Sequence, residues 1–156
     1  MTMTAPAATN PYLRTKILTA RPEELRLMLY DGALRFCRQA QAAMAQRKYE
    51  ESYNCLMRAQ KIVLELSTSL NHQADPDLCS RLAALYTFIY RRLVDANMSR
   101  DAAIIDEAIR LLTYERETWQ MLLEKLAEQA RQEGDPAQDD LTAARQTAIG
   151  SFSQPA

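Results

Sequence analysis

Apolar residues recur at spacings of three and four along most of the chain, which is the period of an amphipathic α-helix. The first such stretch opens at Pro22, a favoured first helical position, and is predicted to run to about Arg47. Arg21 occupies the position where Ser, Thr or Asp usually caps a helix, so Thr19 is the alternative cap. We place the start of this helix within two residues of Pro22.

Three further stretches show the same period. They predict a second helix from about Tyr49 to Asn71, a third from about Pro76, and a fourth from about Asp101 to Gln132. The segment NHQADP separates the second helix from the third, and NMSRD, with Ser99 as the predicted cap, separates the third from the fourth. Gly134 and Pro136 are predicted to end the last helix.

Connections of a few residues require consecutive helices to pack as antiparallel neighbours. The sequence therefore predicts an all-α protein, an elongated antiparallel up-down four-helix bundle over residues 21–132. Residues 1–20 are predicted to be a flexible N-terminal segment. Residues 133–156 are predicted to be a loose tail, with a short helix around Leu141–Ile149.

The first helix carries more apolar residues than one bundle face requires. On a helical wheel, Leu25, Leu29 and Phe36 cluster within about 80° and are assigned to the bundle. Leu27, Tyr30 and Leu34 form a second apolar arc roughly 120–200° from Leu25. Either a neighbouring segment covers this arc, or the arc lines a groove for the amphipathic helix of a partner protein.

The third helix supports the groove interpretation, because Tyr86 and Tyr90 lie one turn apart on one flank of its apolar stripe. Aromatic side chains with a polar tip suit the rim of a surface that is alternately wet and covered. The seven methionines would let such a surface adapt to an irregular partner. The residues alone thus predict a helical interaction module.

The charge balance argues against a nucleic-acid-binding protein. The chain has 19 basic and 20 acidic residues and a formal net charge of −1, whereas binding to phosphates requires an excess of Lys and Arg. Arg91, Arg92 and Arg100 are interpreted as a solvated face, and RNA binding through them is the weaker alternative.

Three cysteines without a CxxC pair are typical of a reduced, cytosolic chain in which they act as small apolar residues. The first 20 residues lack a signal-peptide core, and no apolar run approaches the ~18 residues of a membrane span. We therefore predict a cytoplasmic protein that does not span a membrane.

The pattern of chemically reactive residues does not indicate an enzyme. A di-metal helix bundle requires two Glu-x-x-His motifs, but His72 is the one histidine and lies in a predicted loop. The chain also lacks a Gly-rich phosphate loop and the Gly-x-Ser-x-Gly and Ser-x-x-Lys motifs. No cofactor, metal or catalytic residue is predicted.

Several motifs resemble one family. The run YLRTKILTARPEELRLMLYDGAL, followed by AQKIVLELSTSLN, LAALYTFIYRRLVDAN and ERETW, is similar to the flagellar secretion chaperones that bind flagellin, the FliS family. The resemblance covers about residues 12–126. Arg21 departs from the pattern, because that family has Ser or Thr there.

The resemblance implies a cytosolic chaperone that binds the disordered C-terminal segment of flagellin, prevents premature polymerisation, and passes flagellin to the type III export gate. The second apolar arc of the first helix and the tyrosine pair of the third then predict the client contacts, which are Leu27, Tyr30, Leu34, Tyr86 and Tyr90. The resemblance also implies that the N-terminal segment, through Tyr12 and Ile17, covers the groove when no client is bound. The competing hypothesis is a homo-oligomeric adaptor whose apolar face closes a dimer.

Overall fold

The computed structural model describes Pro11 and residues 22–134, and four α-helices make up nearly all of the latter range. The helices are α1 (Pro22–Ala45), α2 (Tyr49–Thr68), α3 (Pro76–Ser99) and α4 (Ala102–Gln132). All four were predicted, and each of their ends lies within three residues of its predicted position. The predicted caps before Pro22 and the short helix at Leu141–Ile149 lie outside the described residues.

The helix links depend on two residues in the left-handed conformation. Arg47 (φ 57°) lies between α1 and α2, and Arg100 (φ 53°) lies between α3 and α4. The first residue of α3 is Pro76, and the Asp75 carboxylate caps that helix by accepting a hydrogen bond from the Leu78 amide at 3.2 Å.

The predicted cap at Ser99 is wrong. Ser99 is the last residue of α3, and its hydroxyl donates to the carbonyl of Asp95 at 2.7 Å. The chain reverses direction one residue later, at Arg100, which is the C-terminal cap of α3. The Asp101 carboxylate instead accepts from the amide of Ala103 at 2.9 Å, at the start of α4.

Contacts between the helices show the antiparallel order. Near the start of α1, Arg26 donates to the carbonyl of Leu66 near the end of α2, at 3.1 Å. Near the end of α1, Gln41 donates to the carboxylate of Asp106 near the start of α4, at 2.6 Å. These pairings are those of an up-down four-helix bundle, which confirms the predicted fold.

The chain divides into two compact units between Trp119 and Gln120. The first unit holds α1, α2, α3 and most of α4, together with a core to which all four helices contribute. The largest fully buried side chains of that core are Tyr30, Leu56, Leu66, Tyr86, Ile89, Leu93, Ile105 and Leu112. In the second unit the structure describes the last part of α4 and its end at residues 133 and 134. None of the described helices is long and apolar enough to cross a bilayer.

Cys37, Cys55 and Cys79 are all buried, and none forms a disulfide. Burial raises the pKa of the Cys37 thiol to about 12, because a thiolate is poorly solvated among apolar side chains. Cys37 is therefore a neutral packing residue at physiological pH, as predicted for the cysteines of this chain.

Candidate peptide-binding grooves

An apolar groove runs between α1 and α2. From α1 it is lined by Leu25, Met28 and Leu29, and from α2 by Ile62, whose side chain lies beside Gly32 of α1. The α1 positions follow the i, i+3, i+4, i+7 pattern, so they share one side of the helix, here called the groove face. The volume of this α1–α2 groove is about 530 Å³, within the range of pockets that bind ligands.

Polar side chains line part of the same groove. Arg26, Arg35, Glu65 and Ser69 contribute both signs of charge around the apolar lining. An apolar strip bordered by polar groups accepts an amphipathic helix, whose apolar side enters the groove while its polar side stays in water.

Arg26 fixes one end of the α1–α2 groove. Its guanidinium donates to the Leu66 carbonyl of α2 and to the hydroxyl of Ser69, which follows α2, each at 3.1 Å, and to the Tyr86 hydroxyl of α3 at 3.0 Å. It also lies 5.5 Å from the ring centroid of Trp119 in α4. One side chain of α1 thereby contacts all three other helices.

The side of α1 facing the core carries a buried pair of hydroxyls. Tyr30 and Tyr86 are each 1% exposed, and their hydroxyl groups hydrogen bond to each other. Burial raises the pKa of Tyr30 far above its usual range, with the neighbouring Tyr86 adding to the effect. The Tyr30 phenol is therefore neutral, and the two hydroxyl groups satisfy each other's polar atoms inside the bundle.

A second groove lies between α2 and α3. It is lined by Val63 and Leu64 from α2 and by Tyr86, Tyr90 and Arg91 from α3, with a volume of about 300 Å³. Tyr90 is half-buried, whereas Tyr86 borders this α2–α3 groove although its side chain is buried. The structure brings these two tyrosines together in one groove.

The predicted division of α1 into two faces is wrong for two residues. Tyr30 and Leu34 (3% exposed) belong to the bundle core, not to a separate accessible face. Leu27 is half-buried and lines neither groove. Contact of these three residues with a client stays a prediction, and Tyr12 and Ile17 lie outside the described residues.

The assignment of Tyr30 and Leu34 to an accessible face fails because the buried face of α1 lies about a quarter of a turn around the helix from the predicted bundle stripe. The buried set, here called the core face of α1, is Tyr30, Ala33, Leu34, Cys37, Ala40, Ala43 and Met44. Small residues at 33, 37 and 40 leave room for the facing helices. The hydroxyl of Tyr30 finds a buried partner on α3, which the sequence of α1 alone does not reveal.

The groove residues Leu25, Met28, Leu29 and Ile62 are not among the predicted site residues. The spacing of Leu25 and Leu29 instead predicts a stripe that packs in the bundle. Leu29 and Phe36 do pack against the core while remaining partly exposed, so they combine both roles. Gly32 was the available signal, because a glycine inside a long helix often marks a close approach of another element.

The three arginines interpreted as a solvated face are engaged separately. Arg92 forms ion pairs with Glu107 at 2.9 Å and with Asp95 at 3.4 Å. Arg100 stacks 4.2 Å above the ring of Tyr49, and Arg91 lines the α2–α3 groove. His72 lies exposed between α2 and α3, in the loop where it was predicted.

Comparison with known proteins identifies one family. Residues 3–131 match the family model described as flagellar protein FliS. The chain is 36% identical over 121 residues to the flagellar secretion chaperone FliS of Bacillus subtilis, covering 76% of this chain and 90% of that one. It is 30% identical over 112 residues to the corresponding chaperone of Campylobacter jejuni, covering 72% of this chain and 88% of that one.

A solved structure shares the fold. A bacterial flagellar chaperone superposes with a TM-score of 0.64 at 22% identity, covering 76% of this chain and 96% of that chain. The matched family region stops at residue 131, just before the end of α4.

Proposed function

This chain belongs to the FliS family of flagellar secretion chaperones, and on that basis we propose that it is a non-enzymatic export chaperone of the cytoplasm. Its client is the disordered C-terminal segment of flagellin. Binding prevents premature polymerisation of flagellin and keeps it competent for type III secretion. The observation that carries the proposal is the α1–α2 groove, an accessible apolar surface in a chain of this family.

The energetics favour a client that becomes helical on binding. Ordering a disordered segment costs about 2–5 kcal/mol or more. Full burial of one leucine or methionine of the client contributes about 1.5–3 kcal/mol. Three such client side chains, buried against Leu25, Met28 and Leu29, would offset the ordering cost without ATP.

The α2–α3 groove provides a second contact for the same client. Val63 and Leu64 lie beside Tyr90 on the opposite flank of α2 from the α1–α2 groove. A segment that fills both grooves has to cross α2, as a long segment does when it wraps around a bundle. Tyr86 and Tyr90 keep their predicted role in this arrangement.

The N-terminal segment is the competitor for the α1–α2 groove. Pro22, the first residue of α1, lines this groove, so the preceding residues enter the helix at its edge. We propose that Tyr12 and Ile17 cover the groove in the absence of client. Replacing both with alanine removes the competitor and raises the affinity for client.

Titration calorimetry with the C-terminal peptide of flagellin tests the proposal. We expect one-to-one binding, and Met28→Glu should weaken it by tenfold or more while the far-UV circular dichroism stays helical. Leu27→Glu is the matched control, because Leu27 is equally half-buried but lines neither groove. A loss of binding in Leu27→Glu alone would restore the original assignment of Leu27 as a client contact.

The same titration separates a chaperone from a homo-oligomeric adaptor. Light scattering with and without peptide should show a complex whose mass increases by one peptide per chain, including when the free protein is a dimer. A permanent dimer whose mass ignores the peptide, with no heat of binding, rejects the chaperone proposal. That result would also reject the proposed handover of flagellin to the export gate, because no client would be bound.

A further inference from the structure

Two arginines from different helices contact one phenylalanine ring beside the α1–α2 groove. The guanidinium carbon of Arg35, on α1, lies 5.2 Å from the ring centroid of Phe36, and that of Arg58, on α2, lies 5.5 Å from it. Phe36 is half-buried and packs against the core, so the bundle fixes the position of its ring. Both arginines are exposed, and the shared ring makes their positive charges close neighbours at the surface. They are here called the arginine pair.

The arginine pair lies where the apolar groove ends. Arg35 lines the α1–α2 groove, whereas Arg58 lines a polar cavity of about 650 Å³ together with Gln39 of α1. Gly32, Arg35 and Gln39 follow each other in steps of three and four, so the polar cavity continues the groove along the same side of α1. A partner helix that fills the apolar groove therefore meets the arginine pair about one turn beyond its last apolar contact.

The arginine pair has no carboxylate partner within the part of the chain that the structure describes. Neither guanidinium forms an ion pair or a hydrogen bond with another described residue. Glu50 and Glu51 line the polar cavity as well, but neither is paired with Arg58. A guanidinium group matches the planar geometry of a carboxylate. A carboxylate placed between the two arginines also relieves the repulsion between their charges.

We propose that the arginine pair binds an acidic side chain of the client, an Asp or Glu that lies about one helical turn beyond the last apolar contact in the α1–α2 groove. This inference rests on the proposed function and adds a charged specificity element to an apolar groove. Apolar contacts alone leave the register of a bound helix weakly determined, because a shift by one turn exchanges one apolar side chain for another. A carboxylate held by two arginines fixes that register.

The charge of the N-terminal segment separates the client from this segment as an occupant of the groove. Residues 1–21 contain Arg14, Lys16 and Arg21 but no Asp or Glu. A basic segment that extends past the apolar groove is repelled by the arginine pair, whereas an acidic client is attracted. The arginine pair thus favours replacement of the proposed N-terminal cover by the client.

Single charge-removing variants test the arginine pair. Arg35→Gln and Arg58→Gln should each weaken binding of the C-terminal flagellin peptide about two- to fivefold in titration calorimetry at low salt. The loss should shrink at high salt, since salt screens exposed charges. Arg38→Gln is the matched control, because Arg38 is an exposed arginine of α1 that lines neither cavity. Equal losses in all three variants, or none, overturn the proposal and leave the proposed function intact.

Peptide variants identify the partner of the arginine pair. Each acidic residue of the flagellin peptide is replaced in turn by its amide. One of these peptides should bind the native chain more weakly and show no further loss with Arg58→Gln, because the two changes remove the same interaction. Losses that add up at every acidic position overturn the assignment. A loss that follows only amidation of the peptide's C-terminus also overturns it.

A third measurement does not depend on flagellin. Glutarate, a small dicarboxylate, is titrated into the full chain while the guanidinium Nε–H resonances are followed by nuclear magnetic resonance. We expect those of Arg35 and Arg58 to shift together and to saturate at lower glutarate than that of Arg38. Equal shifts at all exposed arginines, or none, overturn the proposal. Failure of the flagellin peptide to bind the native chain rejects the proposed function, whereas the glutarate titration still decides whether the arginine pair binds carboxylates.

Discussion

Both the core face and the groove face of α1 are apolar, but their surroundings differ. The core face contains Tyr30, Leu34 and Cys37, all buried against the other helices, with a hydroxyl pair that satisfies its polar atoms. The groove face contains Leu25, Met28 and Leu29, which remain partly exposed along the α1–α2 groove. Hydrophobicity alone does not distinguish a packing surface from a binding surface, because the distinction depends on which neighbours fit closely.

Side-chain shape explains how the two faces differ. Ala33, Cys37 and Ala40 are small, so the core face lets neighbouring helices approach and close over Tyr30 and Leu34. The groove face instead combines long side chains with Gly32, which leaves an open channel beside Ile62. We expect changes on the core face to alter stability and changes on the groove face to alter binding.

The largest expected effect is that of Leu34→Ala on the core face. Removing a fully buried leucine side chain should lower the free energy of unfolding by about 2–5 kcal/mol, since it leaves a cavity. Urea denaturation followed by circular dichroism measures the change. Leu25→Ala on the groove face is the control and should cost clearly less, because Leu25 is only half-buried. If Leu34→Ala leaves stability intact but abolishes peptide binding, the comparison between the two faces is reversed.

Tyr86→Phe should have the next largest effect. The Tyr86 hydroxyl is the partner of Tyr30 and accepts from Arg26, so its removal leaves a buried hydroxyl and one guanidinium hydrogen without that partner. The expected cost is about 1–3 kcal/mol in urea denaturation. Tyr30→Phe should cost less, since Arg26 still donates to Tyr86. A cost for Tyr30→Phe that equals or exceeds that for Tyr86→Phe would show that Arg26 contributes little to the network.

A smaller effect on stability is expected for Gly32→Ala on the groove face. Alanine improves helix propensity by up to about 1 kcal/mol, but its Cβ would lie 3.2 Å from the terminal carbon of Ile62 and displace that side chain. The melting temperature should therefore change little, whereas the affinity for the flagellin peptide should fall several-fold as the groove narrows. Calorimetric titration measures the affinity for the peptide, and thermal unfolding of the same sample measures the melting temperature. Unchanged affinity argues against the α1–α2 groove as the binding site.

The helices and their antiparallel order could be predicted from the sequence, because period and link length determine them. Asp75-Pro76 and the 3-4 spacing of α3 are local signals that the tertiary structure does not override. The orientation of α1 about its own axis could not be predicted in the same way. It depends on the pairing of Tyr30 with Tyr86, 56 residues away in the chain, and on the close fit around Ala33 and Ala40.

The candidate site was therefore predicted only in part. Tyr86 and Tyr90 do border one groove, since their spacing on a single helix fixes their common side. The α1–α2 groove was missed because it is formed by two helices, and the contribution of Ile62 becomes visible only once α2 lies beside α1. A surface made by two elements is harder to predict from sequence than a stripe on one of them.

The smallest expected effect concerns Glu115 on α4, which lies close enough to Arg26, at one end of the α1–α2 groove, to interact with it electrostatically. Burial raises the pKa of the Glu115 carboxyl, and attraction to Arg26 only partly offsets this. The folded state thus binds the proton more tightly than the unfolded state, so stability falls as pH rises from the ordinary pKa of 4.5 towards the raised value.

Glu115→Gln should stabilise the bundle at pH 7, with the gain disappearing below pH 4.5, as measured by urea denaturation at both pH values. If Glu115→Gln instead destabilises the protein at pH 7, the attraction to Arg26 outweighs burial, and the carboxylate helps to hold Arg26 between the two faces of α1.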